Sequence, residues 1–126
     1  MSSLLTICAG ALSFGIGALW YTVFFGKVWL KEVGITEKQI KESGGGAFPM
    51  VTSLCFEILI AFLVVFAIDK LQLAVFASGA LIAAIAVLSS LKNYLFEQRS
   101  ITLIFINEGY KVVCILIMTT FYYFFR

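Results

Sequence analysis

The chain has 126 residues, of which 62% are hydrophobic and only 13% are charged, whereas soluble domains average about 45–50% apolar and about 25% charged residues. This composition excludes an ordinary soluble domain, because a fold of this length could not hide so much apolar surface. A formal net charge of +2 without a basic cluster gives no indication of a nucleic-acid partner, and the absence of histidine removes the commonest metal ligand and general base.

The three cysteines, Cys8, Cys55 and Cys114, each fall within an apolar segment. Their number is odd and no Cys-x-x-Cys spacing occurs, so the sequence indicates neither a disulfide framework nor a zinc site. We interpret them as small buried hydrophobic residues. We therefore expect no metal site and no cofactor.

Four apolar segments are each long enough for a membrane-spanning helix, which needs about 20 residues. They cover approximately residues 4–25, 49–68, 73–96 and 101–125. Asp69-Lys70 is predicted to form a tight polar turn between the second and third segments. The sequence predicts an all-α integral membrane protein, in which four transmembrane helices form one antiparallel bundle in the lipid bilayer.

Small residues recur every four positions along one face of the first predicted span, at Ala9, Ser13 and Gly17. This spacing, called here the small-residue face, lets another helix approach closely. The alternative is that glycine and alanine are simply common in membrane helices. Trp20 and Tyr21 near the end of the span fit the aromatic belt of a membrane–water interface.

The first connection, residues 26–47, contains most of the polar residues of the chain. Thr36 and Gln39 have the spacing of a capping box, which predicts a short helix beginning at Thr36. The three glycines at positions 44–46 would end this helix. Because apolar residues are interspersed among the charges, we expect the segment to lie along the membrane interface.

Lysine and arginine residues near the spans are distributed unequally between the two sides of the predicted bundle. One side collects Lys27, Lys31, Lys38, Lys41, Lys92 and Arg99. The other side has Lys70 and Arg126. Because lysine and arginine concentrate in cytoplasmic loops, we expect the connection 26–47 in the cytoplasm and both termini outside.

Polar side chains interrupt three of the spans at a similar depth. They are Glu57 in the second span, Ser89, Lys92 and Asn93 in the third, and Asn107, Glu108 and Lys111 in the fourth. An ionisable group in hydrocarbon costs roughly 2.5–3.5 kcal/mol on insertion scales. Helical spacing puts the members of each span on a shared face, including Ser78, Ser89 and Asn93 in the third. The sequence therefore predicts a polar layer turned into the bundle, on the side of the connection 26–47.

This polar layer has two main interpretations. It could be a self-satisfied network, in which Glu108 pairs with Lys111 on its own helix and Glu57 pairs with Lys111 or Lys92. It could instead surround a water-filled cavity, where a carboxylate exchanges a proton or binds a cation, as intramembrane acids often do. A site for a lipid headgroup or a partner protein is a further alternative.

Several motifs resemble those of one bacterial family. They are Gly17-Ala18-Leu19-Trp20-Tyr21, Phe25-Gly26-Lys27-Val28-Trp29, Gly34-Ile35-Thr36-Glu37, Ile106-Asn107 and Gly109-Tyr110. The chain resembles the family catalogued as domain of unknown function 1761, and the resemblance covers nearly its whole length. It implies a small four-span protein of the bacterial inner membrane. It supplies no activity.

The first two of these motifs make physical sense as an interfacial anchor. Trp20, Tyr21 and Trp29 would lie at headgroup level, Gly26 would permit the bend, and Lys27 would reach lipid phosphates. Alternatively, Trp20 and Tyr21 face the bundle and cap the polar layer. Tyr21 continues the small-residue face, which favours this role for its hydroxyl group.

Three function classes follow from these observations. The first is a homo-oligomeric channel or transporter for an ion or small solute, with oligomer contacts through the small residues of the first and third spans. The second is a non-catalytic scaffold or regulator that binds lipid or a partner protein through residues 26–47. The third, an intramembrane enzyme, is disfavoured because the sequence lacks a Gly-x-Ser-x-Gly elbow, a His-Glu-x-x-His pair and an aspartate dyad.

Overall fold

A computed structural model describes residues 1–42 and 47–126 of the chain. Within these ranges the protein is all-helical and contains no strand. The helices are α1 (Ser3–Leu19), which continues as a π-helical turn (Trp20–Phe24), then α2 (Gly26–Val33), α3 (Glu37–Glu42), α4 (Ala47–Leu71), α5 (Val75–Glu97) and α6 (Ile101–Phe125). The glycines predicted to end the loop helix lie outside the described residues.

Four of these helical segments are long and apolar enough to cross a membrane: Ser3–Phe24, Ala47–Leu71, Val75–Glu97 and Ile101–Phe125. This confirms the predicted all-α architecture with four membrane-spanning helices. We call the side that carries α2, α3 and the α5–α6 connection the loop face. The side that carries the two termini and the α4–α5 connection is the terminal face.

The reversal between α4 and α5 differs from the sequence prediction. Asp69 and Lys70 were expected to form the turn, but α4 continues through them and ends at Leu71. The chain reverses immediately afterwards, with Gln72 in the left-handed region at φ 55°. The helix needs no break at the two charged residues, because both are exposed at its end and Asp69 accepts a hydrogen bond from Tyr122 on α6 at 3.1 Å.

Helix α6 is the centre of the bundle. It packs against α1, α4 and α5, whereas α5 packs mainly against α6. The buried core has members on every spanning helix, including Ala9 on α1, Ala61 on α4, Val75 on α5 and Met118 on α6. Polar side chains on α6 therefore face the other spans. A site inside the bundle is expected around α6 for this reason.

The small residues of α1 and α5 are used for packing within the chain. A Cβ added at Gly10 would lie 2.7 Å from the Cα of Ile58 on α4, and one added at Gly17 would overlap the hydroxyl group of Tyr110 on α6. Gly79 on α5 meets Thr119 on α6 in the same way. The predicted close approach is confirmed, but these glycines serve helix contacts inside one chain and are not free for contacts between chains.

The connection between α1 and α4 is more helical than predicted. Helix α2 was not predicted. It ends at Val33 and is followed by the capping residue Gly34, whose φ of 83° is the left-handed conformation that favours glycine. The capping box before α3 is confirmed. The backbone N–H of Thr36 donates to Oε1 of Gln39 at 2.9 Å, and the backbone N–H of Gln39 donates to Oγ1 of Thr36 at 3.2 Å.

Candidate functional site

The π-helical turn at the end of the first span directs two adjacent aromatic residues into the bundle. Nε1–H of Trp20 donates to the carbonyl oxygen of Ile106 at 2.8 Å, and the hydroxyl group of Tyr21 donates to Oδ1 of Asn107 at 2.9 Å. Neighbouring residues of a regular α-helix point about 100° apart, and the wider π turn relaxes that constraint. Of the two sequence interpretations, the one in which Trp20 and Tyr21 face the bundle describes these contacts.

Tyr110 on α6 joins three spans through one hydroxyl group. Its oxygen lies 3.0 Å from the carbonyl oxygen of Ser13 on α1 and 3.2 Å from Oε1 of Glu57 on α4. A phenol carries one proton, so Tyr110 donates fully to only one of these acceptors at a time. The position of that proton therefore affects how strongly the Glu57 carboxylate is held.

The second carboxylate oxygen of Glu57, Oε2, is buried and has no hydrogen-bond partner among the described residues. The predicted pairing of Glu57 with Lys111 or Lys92 does not occur. Lys111 is occupied by other partners, and Lys92 is exposed on α5. Buried polar atoms are nearly always satisfied in native proteins, so this oxygen is positioned to bind a proton, a water molecule or a cationic ligand.

Lys111 and Glu108 form the ion pair that their spacing predicts. The Lys111 Nζ atom lies 3.0 Å from Oε2 of Glu108 and donates to Oε1 of the same carboxylate at 3.2 Å. The ammonium group also donates to Oγ of Ser90 and, at 3.4 Å, to the carbonyl oxygen of Ala86. The charges of this pair cancel locally, and among the described residues Glu57 has no cationic partner.

The polar residues predicted for the third span lie outside this cluster. Ser89, Lys92 and Asn93 are exposed, and the Ser89 hydroxyl group donates to the carbonyl oxygen of Ile85 in its own helix. Toward the end of α5 the predicted stripe is off by one position, about 100° of rotation, so that Ser90 contacts Lys111 of α6 and Ser89 does not. Only the buried Ser78 of that stripe faces inward as expected.

The sequence-based site also omitted Tyr110, whose hydroxyl group contacts both α1 and α4. Helical spacing could have found it, because Tyr110 follows Asn107 by three residues and precedes Cys114 by four, on the same face of α6. Cys114 confirms this register, since its Sγ atom lies 3.9 Å from the same Ser13 carbonyl oxygen. Because 16% of the residues are aromatic, one tyrosine in the fourth span is not by itself an indication of a site.

Two cavities meet at these side chains. The first, the loop-side cavity of about 770 Å³, lies among α1, α2, the start of α4, the end of α5 and the first half of α6. The second, the apolar cavity of about 650 Å³, lies among α4, α5 and α6. Both are lined by Tyr21, Glu57, Asn107 and Tyr110. We call these four residues the partition cluster, because they form a wall common to both cavities.

The interfacial motif is divided between the cavity and the surface. The Trp29 ring meets the Tyr21 ring edge-on, with centroids 5.4 Å apart, and lines the loop-side cavity. Gly26 is buried, and a Cβ there would lie 3.1 Å from the carbonyl oxygen of Tyr21. Lys27 is exposed at the loop face, where it is free to reach lipid phosphates.

Among the described residues, no group of three or more Cys, Asp, Glu or His side chains could hold a metal ion. The chemistry that the site offers is therefore that of one carboxylate, two phenols and an amide between two cavities. Such groups can bind and release a proton or hold a cation, and intramembrane carboxylates commonly do so.

Comparison with known proteins identifies a family without a known activity. Neither the curated proteins nor the solved structures contain a match to this chain. The family model described as protein of unknown function (DUF1761) matches residues 4–123. Because this match covers almost the whole chain and agrees with the motifs in the sequence, the protein belongs to the DUF1761 family.

Proposed function

We propose that this protein is a non-enzymatic membrane transport protein, a channel or carrier that moves an ion or small solute past the partition cluster. The observation that carries the proposal is the meeting of two cavities at one set of four polar side chains. Small-solute sites in proteins typically occupy about 300–1,000 Å³, and both cavities fall within this range.

The charges favour a proton or a cation over an anion. Glu57 has a buried oxygen without a partner, while Lys111 is engaged by Glu108. An ionised Glu57 therefore gives the partition cluster a net negative charge that no described side chain neutralises. Charged groups at such a depth attract the opposite charge strongly, because the surrounding dielectric constant is low.

In this structure, the proposed path between the two cavities is closed at the partition cluster. Two hydrogen bonds, Tyr110 to Glu57 and Tyr21 to Asn107, cross it, and the rings of Tyr21 and Tyr110 meet edge-on with centroids 5.5 Å apart. Passage requires that these contacts break and re-form. This requirement supports a gated mechanism, in which α6 moves slightly away from both α4 and the end of the first span while solute passes.

We further propose that the protein acts as a homo-oligomer in the bacterial inner membrane, with the loop face in the cytoplasm. The exposed residues Ala80 and Ala84 give α5 a small-residue surface on which a second copy could pack. The distribution of lysine and arginine supports the orientation. Crosslinking of Ala84→Cys chains, with an exposed Leu59→Cys chain as control, tests the contact.

Ion flux into liposomes that contain the purified protein tests the transport function. We expect proton or potassium flux above that of empty liposomes, and a decrease of roughly tenfold or more for Glu57→Gln. Glu37→Gln makes the same chemical change on exposed α3 and should leave the flux unchanged. Parent protein no more permeable than empty liposomes, for both protons and potassium, would contradict the proposal.

A non-catalytic scaffold that binds a partner protein or lipid through the connection between α1 and α4 is the second candidate. It is favoured by the capping box, which preorganises α3 with charged residues exposed at the loop face. Photo-crosslinking from position 38 would then capture a specific protein or lipid. Position 70 at the terminal face is the control, and equal capture from both positions would count against the scaffold.

A further inference from the structure

We propose that the loop-side cavity binds an organic cation, a lipophilic ammonium or phosphonium ion, with its charge toward Glu57. The further statement that such a cation is the transported solute rests on the transport function proposed above. As a statement about binding, the inference rests on the walls of the cavity alone. Three properties of those walls carry it: their aromatic content, the sign of their charge, and the shortage of metal ligands.

Aromatic rings surround the cavity from four helices. They belong to Phe14, Tyr21, Trp29, Tyr94 and Tyr110. The faces of aromatic rings attract cations, and cages of such rings are the usual recognition element for quaternary ammonium groups. The edge-on contacts of Tyr21 with Trp29 and with Tyr110 set neighbouring rings at steep angles of 73° and 76°. Neighbouring rings are therefore not coplanar, and several of them are available along the wall to contact a bulky ligand.

An ionised Glu57 makes the wall of the cavity negative at its deep end. Glu97 and Arg99 lie toward the loop face, where the Arg99 Nε atom is 3.4 Å from Oε2 of Glu97, so that this exposed pair is neutral. Glu57 lies deeper and has no cationic partner among the described residues. An anionic solute would meet an uncompensated carboxylate there, whereas a cation would compensate it.

The donor atoms do not suit an inorganic divalent cation. Calcium takes about 6–8 oxygen ligands, and magnesium requires near-octahedral oxygen coordination. Along this cavity Glu57 offers one free carboxylate oxygen, and Oδ1 of Asn107 already accepts a hydrogen bond from Tyr21. An organic cation needs only the charge and the apolar rings. It also fits a volume of about 770 Å³, whereas a bare metal ion would leave most of that volume unfilled.

Binding of tetraphenylphosphonium to the full-length protein in detergent tests the inference, by isothermal titration calorimetry and by quenching of tryptophan fluorescence. We expect saturable binding that weakens roughly tenfold in Glu57→Gln, from loss of the charge, and roughly tenfold in Trp29→Ala, from loss of an aromatic wall. Glu37→Gln should bind like the parent. Triphenylphosphine oxide, a neutral analogue, should bind much more weakly than the cation.

The possible outcomes separate this inference from the transport function. Absence of saturable binding, or equal affinity of parent and Glu57→Gln proteins, overturns the inference, even if proton or potassium flux is observed. Binding with the expected variant pattern supports the inference. If liposomes containing the protein then show no flux of protons or potassium above that of empty liposomes, the transport function is overturned and the cavity remains a binding site.

Discussion

The hydroxyl oxygen of Tyr110 lies 3.2 Å from Oε1 of Glu57, and this contact joins α6 to α4 across the point where two cavities meet. The same hydroxyl group reaches α1 at the Ser13 carbonyl oxygen. One side chain thus links three of the four spans. A change at this contact should alter both the stability of the bundle and the path between the cavities.

The variant Tyr110→Phe tests the stabilising part of this contact. It keeps the ring that packs against Gly17 but leaves the Glu57 carboxylate without its donor. A buried acceptor that loses its partner costs about 1–3 kcal/mol. We expect the free energy of unfolding, measured by reversible SDS titration, to fall by about this amount. Tyr123→Phe, at an exposed ring, is the control, and equal effects of the two variants would contradict the assignment.

Helix α1 should tolerate a methyl group at one glycine and not at another. A Cβ at Gly10 would lie 2.7 Å from the backbone of α4, whereas a Cβ at Gly15 meets nothing within 4 Å. We expect Gly10→Ala to destabilise the protein by about 1–3 kcal/mol, because the helices must move apart. Gly15→Ala should be neutral or slightly stabilising, since alanine is the better helix former. SDS titration measures both, and the reverse order would exclude this packing of α1 on α4.

Removal of the ammonium group in Lys111→Met should be strongly destabilising. Glu108, whose side chain is 8% exposed, would then be a buried charge without its cation, a situation that typically costs about 3–5 kcal/mol. The double variant Lys111→Met/Glu108→Gln removes both charges and should recover much of that loss. Lys92→Met, at an exposed lysine of α5, should have little effect. Additive losses in the double variant would show that the two side chains do not interact.

The orientation inferred from the charge distribution has its own test. In a background with Cys8, Cys55 and Cys114 replaced, single cysteines are introduced by Lys38→Cys on α3 and Ser3→Cys at the start of α1. We expect a membrane-impermeant maleimide to label position 3 in intact cells, and position 38 only after permeabilisation. The opposite pattern would place the loop face outside and contradict the lysine and arginine count.

Local features of the fold could be predicted from the sequence, because they depend on spacing along one helix. The four spans follow from runs of apolar residues, the Glu108–Lys111 pair from i,i+3 spacing, and the cap of α3 from Thr36 and Gln39. Each of these is present in the structure. Such features require no knowledge of how one helix is rotated against another.

Features that depend on helix rotation could not be predicted in the same way. A difference of one position separates Ser89, which is exposed, from Ser90, which contacts Lys111. The link between Glu57 and Tyr110 likewise depends on which face of α6 meets α4. The π-helical turn changes the directions in which the side chains of Trp20 and Tyr21 project from the helix axis. Regular helical spacing in the sequence does not predict this change.

The most direct test of the account is whether solute passes through both cavities. Ala18 lines the loop-side cavity and Ala67 lines the apolar cavity, whereas Leu59 is exposed and lines neither. In liposome flux measurements we expect Ala18→Phe and Ala67→Phe each to abolish most of the flux, because a phenyl ring would fill part of the path. Leu59→Phe should retain it. Normal flux in a folded Ala67→Phe protein would show that the apolar cavity is not part of the path, and would contradict transport through the partition cluster.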